Sequence, residues 1–211
     1  MRSSSEAKIW FKDQLNVSRE TLDRLSAYEA LLRKWNPAIN LVSKSTLSEI
    51  WTRHFIDSAQ IWSKRPDISK KWCDLGAGGG FPGLVISILA AEFAPGQTTT
   101  LVESDARKSS FLMTVARELD LKARVECDRA ENLSPQYADC VSARALAPLP
   151  ALLEMSSRHI SDTGTFLFLK GKTYQNELTD AQKYWTFDCE IFASETGSGG
   201  VILKIGGLQR V

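Results

Sequence analysis

Five glycines lie within the eight positions 76–83, inside the run DLGAGGGFPG that starts at Asp74. The run follows a short apolar segment at 71–75 and precedes a second apolar segment from residue 83. Glycine adopts backbone conformations that are closed to other residues, and it lets a ligand approach the main chain. A strand, a glycine-rich turn and a helix in that order are typical of ligand sites at the carboxyl ends of open α/β sheets. This run therefore restricts the fold more than any other part of the sequence.

Strand-like and helix-like segments alternate from Lys71 onward. The apolar patterns predict seven strands, at 71–75, 98–103, 123–127, 138–143, 164–169, 187–193 and 201–205. They predict helices at 83–92, 107–119, 149–160 and 175–184. Such alternation indicates parallel βαβ units with helices on both faces of the sheet. Residues 195–200 leave no room for a helix, so the last two strands are predicted to pair as an antiparallel hairpin. The expected fold is Rossmann-like α/β, with a mostly parallel sheet whose last strand is antiparallel.

Residues 1–66 are predicted to form a helical extension that packs on a core domain of residues 67–211. A three- and four-residue spacing predicts a helix with apolar positions Leu22, Leu25, Tyr28, Leu32 and Trp35. Ser18 is expected to cap this helix, and Asn36-Pro37 is expected to end it. The pattern TLSE at 46–49 fits a capping box and predicts the start of a second helix. The apolar positions of that helix are Ile50, Trp51, Phe55, Ile61 and Trp62.

Charge and composition indicate a globular protein. The net charge is +1, but residues 1–72 contain 13 Lys and Arg against 8 Asp and Glu. A mildly basic N-terminal part is compatible with a polyanionic partner. No apolar run approaches the ~20 residues of a membrane span, and the N-terminus lacks a signal-peptide pattern, so a cytoplasmic protein is expected. The four cysteines show neither CxxC spacing nor nearby histidine pairs, which favours core residues in a reducing compartment and no metal.

The glycine loop is compatible with two cofactor classes. Gly78, Gly80 and Gly83 match the GxGxxG pattern of dinucleotide-binding enzymes, which makes a dehydrogenase the first alternative. Asp74 distinguishes the two, because a carboxylate beside the helix start would repel a pyrophosphate but would suit a ligand that carries an ammonium and a sulfonium. From Asp74 to Gly80, with Gly76 as the first loop glycine, the loop also has the pattern DxGxGxG of class I methyltransferases. The sequence therefore favours S-adenosyl-L-methionine as the cofactor, bound by Asp74 and the loop glycines.

Glu103 is expected at the tip of the second predicted strand. A carboxylate at this position is placed to accept hydrogen bonds from a ribose diol, whichever of the two cofactors is bound. Its alternative role is that of a carboxylate favoured by the dipole of the following helix. Glu103 thus joins the expected cofactor contacts without deciding between the two cofactors.

The sequence closely resembles the RsmG family, also called glucose-inhibited division protein B, over about residues 20–206. The segments that carry the resemblance are KWN at 34–36, NLVS at 40–43, RHFIDS at 53–58, the loop at 74–83, VES at 102–104, RK at 107–108, RAE at 129–131, ARA at 143–145 and KGK at 170–172. Members of this family methylate N7 of a guanine in 16S ribosomal RNA near the decoding centre. The resemblance implies that this RNA is the substrate, within the small ribosomal subunit or an assembly intermediate. A monomer is expected.

The resemblance also implies roles for single residues. Gly76 and Phe81 look like cofactor contacts. Ala130 and Glu131 look like the pair beside the adenine. Arg144 looks like the residue that faces both cofactor and substrate, and it is the expected catalytic residue. A structural arginine at a strand end is the alternative interpretation.

Guanine N7 carries a lone pair and no proton, so its methylation needs no general base. The enzyme has to place N7 in line with the methyl group. After the fourth predicted strand the chain has SARALAP at 142–148. It has neither the Asn/Asp-Pro-Pro-aromatic run of enzymes that methylate exocyclic amines nor the Pro-Cys nucleophile of enzymes that methylate pyrimidine carbon 5. This segment therefore agrees with a nucleophile that needs only to be positioned.

Four basic residues are expected to bind RNA: Arg53, His54, Lys170 and Lys172. The two lysines bracket the end of the fifth predicted strand, where they could hold phosphates, or they could simply be solvated. Arg53 and His54 are expected to shape the substrate mouth, although a satisfied core histidine is a close alternative. Two other functions stay open, namely a methyltransferase that acts on a protein or small molecule and a non-catalytic RNA-binding module.

Overall fold

The computed structural model describes residues 3–67, 69–197 and 199–211. Residues 1, 2 and 68 of the two predicted domains and residue 198 of the predicted hairpin loop lie outside the described residues. The helices are α1 (Ser4–Leu15), α2 (Arg19–Ile39), α3 (Asp57–Ala59), α4 (Gly83–Phe93), α5 (Ala106–Glu118), α6 (Leu149–Ser156) and α7 (Tyr174–Ala181). The strands are β1 (Lys71–Leu75), β2 (Thr98–Val102), β3 (Ala123–Glu126), β4 (Ala138–Arg144), β5 (Ile160–Lys170), β6 (Trp185–Ala193) and β7 (Val201–Arg210). Each predicted strand and each helix predicted after residue 71 is present, with bounds shifted by a few residues.

The seven strands form one sheet in the order β3-β2-β1-β4-β5-β7-β6. β1 pairs in parallel with both β2 and β4, and the parallel pairing continues outward to β3 and β5. β7 runs antiparallel to both β5 and β6. The predicted mostly parallel sheet with an inverted last strand and a terminal hairpin is therefore confirmed. Because β1, β2 and β4 are parallel neighbours, their carboxyl ends lie together at one edge of the sheet.

Helices cover both faces of the sheet, and each face has its own core. Trp72 of β1 packs in one core and its neighbour Cys73 packs in the other, as expected for successive residues of a strand. The first core combines buried residues of α1, α2, α4 and α5, and the second contains those of α6 and α7. Burial of a large apolar side chain stabilises a fold by about 1.5–3 kcal/mol. The N-terminal helices therefore share their main source of stability with the sheet.

The helix predicted from the first apolar stripe forms as α2. The Ser18 hydroxyl accepts the Thr21 amide at its start, which confirms the predicted cap. The predicted end at Asn36-Pro37 is wrong, since α2 continues to Ile39. A proline in the last turn removes only one helical hydrogen bond, so the helix tolerates it. The chain instead leaves the helix at Asn40, which has a left-handed φ of 49°.

The predicted capping box at Thr46 is also wrong. Lys44–Glu49 is a 3₁₀-helix, and Trp51–Ile56 after it is a π-helix that leads into α3. The Thr46 hydroxyl donates to the Ser43 carbonyl at 3.0 Å instead of starting an α-helix. The five apolar positions predicted for this segment are nevertheless all buried, with Ile50, Trp51, Phe55, Ile61 and Trp62 in the first core. Single π-turns occur often at functional sites, and this one carries two of the predicted RNA-binding residues.

The four cysteines are free, with Cys73 and Cys140 buried, Cys189 half-buried and Cys127 exposed. In the described ranges of the chain, no helix is both long enough and apolar enough to cross a membrane.

β5 begins at Ile160, four residues before its predicted start, because the helical segment before it ends at His159.

Candidate functional site

The glycine loop joins β1 to α4 in a backbone shape that requires glycine. Three of its residues have positive φ, with 66° at Gly76, 56° at Gly78 and 94° at Gly80. Side chains with a Cβ seldom adopt such values. The Gly78 amide donates to Glu103 Oε2 at 2.8 Å, and the Tyr28 hydroxyl donates to a carbonyl of the loop. The loop is therefore held both from the end of β2 and from α2.

A cavity of about 550 Å³ opens between this loop and the ends of β2 and β4. Seven of the nine predicted cofactor-binding residues line it: Gly76, Gly78, Phe81, Glu103, Ala130, Glu131 and Arg144. Among the other lining residues, Asp128 and Met155 lie outside every motif found in the sequence. Asp128 follows the end of β3, so the rule that ligands bind at the carboxyl ends of parallel strands could have found it. Met155 comes from α6, and no sequence signal marks it.

Asp74 and Gly80 do not line this cavity. Asp74 is fully buried, where its Oδ1 accepts the Ser142 hydroxyl at 2.6 Å and its Oδ2 accepts the Gly83 amide at 2.9 Å. Both carboxylate oxygens are engaged beneath the loop, and the predicted contact between this carboxylate and a cationic ligand stays a prediction. Gly80 packs against α4, and a Cβ there would lie 2.3 Å from a methyl carbon of Leu84. Both residues shape the loop from behind.

Burial raises the pKa of the Asp74 carboxyl to about 7, although the hydrogen bonds from Ser142 and Gly83 act to lower it. We therefore expect Asp74 to make the free energy of unfolding fall as the pH rises from 5 to 7.5. Over this range the folded protein holds a proton that the unfolded chain has released, so stability is lost as the pH rises through the folded pKa. The loss amounts to about 2 to 3 kcal/mol. Asp74→Asn resembles the protonated carboxyl, so the variant should not show this loss of stability as the pH rises.

Urea unfolding of the parent and of Asp74→Asn at both pH values measures this difference. Every other titrating group is common to the two proteins, so the comparison isolates Asp74. Equal changes in stability with pH would mean that this carboxyl ionises normally.

Arg144 is the last residue of β4, and its guanidinium is held by three partners. It lies 3.1 Å from Asp57 Oδ2, and it donates to the Arg53 carbonyl at 3.1 Å and to His54 Nδ1 at 2.8 Å. The guanidinium carbon lies 5.0 Å from the centre of the Phe81 ring. These contacts fix the predicted catalytic side chain at the wall of the cavity.

The contact with Arg144 also fixes the protonation of His54. A guanidinium can only donate, so His54 Nδ1 accepts and Nε2 carries the proton, which it donates to Thr46 Oγ1 at 2.9 Å. Burial, together with the smaller effects of the charges of Arg144 and Arg53, lowers the pKa of His54 to about 3. The ring is 9% exposed, and both of its nitrogens are engaged. This geometry agrees with the alternative of a satisfied buried histidine, and RNA binding by His54 stays a prediction.

A second cavity, of about 630 Å³, adjoins the first. Arg144, Ala145 and Leu146 line both cavities. Leu146 packs over the glycine loop so closely that a Cβ on Gly76 would lie 2.6 Å from it. The predicted RNA-binding residue Arg53 lines the second cavity and is exposed. The segment after β4 thus separates a cavity built around the glycine loop from a more open cavity beside it.

The two lysines predicted to hold phosphates have different surroundings, although both line the second cavity. Lys172 is exposed, and it makes no ion pair with the described part of the chain. The Lys170 side chain is only 9% exposed, and its Nζ lies 2.5 Å from Glu177 Oε2 and donates to the Ala147 carbonyl at 2.8 Å. Its ammonium is paired and turned toward the segment after β4, and phosphate binding by Lys170 stays a prediction.

Known proteins resemble this chain in sequence and in fold. A family model described as rRNA small subunit methyltransferase G matches residues 21–199. Proteins named ribosomal RNA small subunit methyltransferase G are 50% identical in Ruegeria pomeroyi, over 93% of this chain and 96% of that protein, and 50% identical in Rhodospirillum centenum, over 92% and 88%. A SAM-dependent methyltransferase from Aquifex aeolicus has the same fold at 12% identity, with a TM-score of 0.57 over 84% of this chain and 97% of the other. TYW2 of M. jannaschii, solved with AdoMet, also shares it at 12% identity, with a TM-score of 0.55 over 81% and 78%. The chain belongs to the rRNA small subunit methyltransferase G family.

Proposed function

We propose that this protein transfers a methyl group from S-adenosyl-L-methionine to N7 of a guanine in 16S ribosomal RNA. The observation that carries the proposal is the pair of adjoining cavities that share Arg144, Ala145 and Leu146. One cavity is built around a glycine loop, and the other opens beside exposed basic residues. Membership of the family supports both the reaction and the class of RNA.

The residues of the first cavity suit S-adenosyl-L-methionine. Its methyl group is carried on a positively charged sulfur, which makes it ready for transfer to a nucleophile. The Glu103 carboxylate accepts the amides of Gly78 and Asp105, and it keeps lone pairs that the ribose hydroxyls would use. Ala130 and Glu131 form a short 3₁₀ turn in the cavity wall, where the adenine would lie. The loop backbone at Gly78 leaves room for close approach of the ligand.

The second cavity would receive the guanine. Because N7 has no proton to lose, this chain's residues need only orient the base and exclude water. No proton-accepting role is needed from His54, which is neutral and bonded through both nitrogens. The Arg144 guanidinium can only donate, and N7 must stay free to react, so Arg144 would contact O6, a phosphate or the face of the ring.

We assign the RNA-facing surface to the region around the second cavity. Arg53 and Lys172 are exposed at its border, and both would contact phosphates. In this proposal residues 1–66 form an extension that helps build the RNA face, and residues 67–211 form the cofactor-binding domain. The protein would act as a monomer, on the small ribosomal subunit or on an assembly intermediate.

Mass-spectrometric mapping of modified bases in ribosomal RNA, from cells with and without this protein, tests the proposal. We expect one guanine of 16S RNA to lose its N7 methyl group when the protein is absent. Transfer of labelled methyl by the purified protein to small subunits, to naked RNA and to protein identifies the direct substrate. Labelling of protein or metabolites alone would favour a different substrate class, and RNA binding without transfer would favour a non-catalytic module.

Lys172→Ala is expected to make RNA binding less sensitive to salt. Each phosphate contact adds about 0.7 to 0.9 to the slope of log affinity against log salt, so the variant should lose roughly that amount. Its affinity for S-adenosyl-L-methionine should stay unchanged. Lys71→Ala is the control, because Lys71 is the exposed first residue of β1 and lies at the end of that strand away from the glycine loop. Equal slopes for Lys172→Ala and the parent would show that Lys172 is merely solvated.

A further inference from the structure

We infer that Lys170 and Glu177 are positioning residues that fix the segment between β4 and α6 and so hold Leu146 between the two cavities. The inference rests on the proposed function, because it gives Leu146 a place between the cofactor and the base.

Besides their contact with each other, Lys170 and Glu177 each form a hydrogen bond to the main chain between β4 and the start of α6. Lys170 donates to the Ala147 carbonyl, and Glu177 Oε2 accepts the Leu149 amide at 2.9 Å. Glu177 Oε1 also accepts the Thr173 hydroxyl at 2.9 Å. Leu149 is the first residue of α6, a helix whose preceding proline gives it no side-chain cap. Glu177 thus satisfies one of the amides that the first turn of a helix leaves without an intrahelical partner.

The segment held in this way has an unusual backbone. Ala145 has a φ of 51°, a value that costs a residue with a Cβ about 1–2 kcal/mol. Such a conformation persists only where its surroundings enforce it. Arg144 anchors the segment at its start through three partners, and the ion pair anchors it at its end. Between these anchors Leu146 stays 39% exposed while it lines both cavities.

The burial of the pair separates this role from phosphate binding. The side chains of Lys170 and Glu177 are 9% and 17% exposed, so a phosphate would have to displace the carboxylate before it could reach the ammonium. Removing one member leaves the other charge nearly buried and without its partner. The ion pair therefore acts on the chain around it rather than on a ligand.

Three variants test the inference: Lys170→Met, Glu177→Leu and the double variant, which leaves no unpaired charge. We expect each to lower kcat about tenfold or more, since small displacements at a reacting centre cost factors of that size. The affinity for S-adenosyl-L-methionine and the salt slope of RNA binding should change by less than about twofold. The double variant should be no worse than the single ones, because the pair acts as a unit. Glu177→Gln keeps an acceptor for the Leu149 amide and should recover part of the rate.

The phosphate-binding alternative predicts opposite effects from the two single variants. Lys170→Met would then weaken RNA binding and flatten its salt slope, and Glu177→Leu would release the lysine and strengthen binding. Lys183→Met is the matched control, since Lys183 forms an exposed ion pair with Asp180 just beyond α7. This control should behave as the parent does.

A second readout does not depend on methyl transfer. The methyl NMR signals of Leu146 should shift in the double variant and stay unchanged in Lys183→Met. Unchanged Leu146 signals, or a kcat within twofold of the parent, would overturn the inference while the proposed function stood. A different outcome is that the Leu146 signals shift but the parent protein methylates no ribosomal RNA. That outcome would overturn the proposed function, while the effect of the ion pair on the segment would stand. Opposite changes in RNA affinity would assign Lys170 to phosphate binding.

Discussion

Gly78→Val is expected to abolish binding of S-adenosyl-L-methionine while the protein stays folded. At Gly78 φ is 56°, and the nearest atom to an added Cβ is the Gly76 carbonyl oxygen at 3.8 Å. The branched side chain would therefore meet little protein, and it would occupy the cavity that the loop lines. The positive φ adds a cost of about 1–2 kcal/mol to folding, which a domain of this size can tolerate. We expect the affinity to fall at least about a hundredfold, or ~2.7 kcal/mol.

Isothermal calorimetry measures this loss, with circular dichroism as the check on folding. Gly96→Val is the control, because Gly96 lies in an exposed turn before β2 with nothing within 4 Å of an added Cβ. The control should bind the cofactor as the parent does. An unchanged affinity in Gly78→Val would remove the basis for placing the cofactor against this loop.

Arg144→Ala is expected to lower turnover by about a hundredfold or more while the protein stays folded. The substitution removes a side chain that lines both cavities and is bonded to both Asp57 and His54. Methylation of small subunits under single-turnover conditions measures the effect. Arg144→Lys should recover only part of the rate, because an ammonium cannot satisfy the same partners in a fixed plane. A rate within about twofold of the parent, below ~0.5 kcal/mol of transition-state stabilisation, would mean that Arg144 is structural.

The same variant should also change the titration of His54. Burial is the main cause of its low pKa, and the charge of Arg144 is the next. Removing that charge should raise the pKa of His54 toward its ordinary value, which NMR of the ring protons can follow. This measurement shows whether the two side chains interact in solution as they do in the structure.

The fold was largely predictable because the signals that specify it are local. The glycine run marks the turn after β1, and apolar periodicity marks the strands and the buried faces of the helices. The contacts of Asp74 were not predictable, because its partner, Ser142, lies opposite it on β4. Pairing register joins residues that are distant in sequence, and the sequence pattern alone does not specify which side chains meet.

The site was less predictable, and the two lysines of the KGK motif show why. They are two residues apart, yet Lys170 faces Glu177 on α7 and Lys172 faces solvent. The contact depends on how α7 packs after the turn at residue 171, and no spacing rule encodes that packing. The contacts of His54 were not predictable for a similar reason. The π-helical turn that carries it departs from the 3.6-residue period on which its predicted position depended.

The bond between Tyr28 and the glycine loop limits how far this motif can be transferred to another protein. Burial raises the pKa of the Tyr28 phenol, so the hydroxyl retains the proton that it donates to the Gly79 carbonyl. Tyr28 belongs to α2, about fifty residues before the loop that it restrains. A loop of the same ten residues grafted onto another α/β sheet would keep its glycines and lose this restraint. The loop conformation is therefore a joint property of the glycine run and the helix before it, and the smallest unit that carries the conformation is larger than the motif.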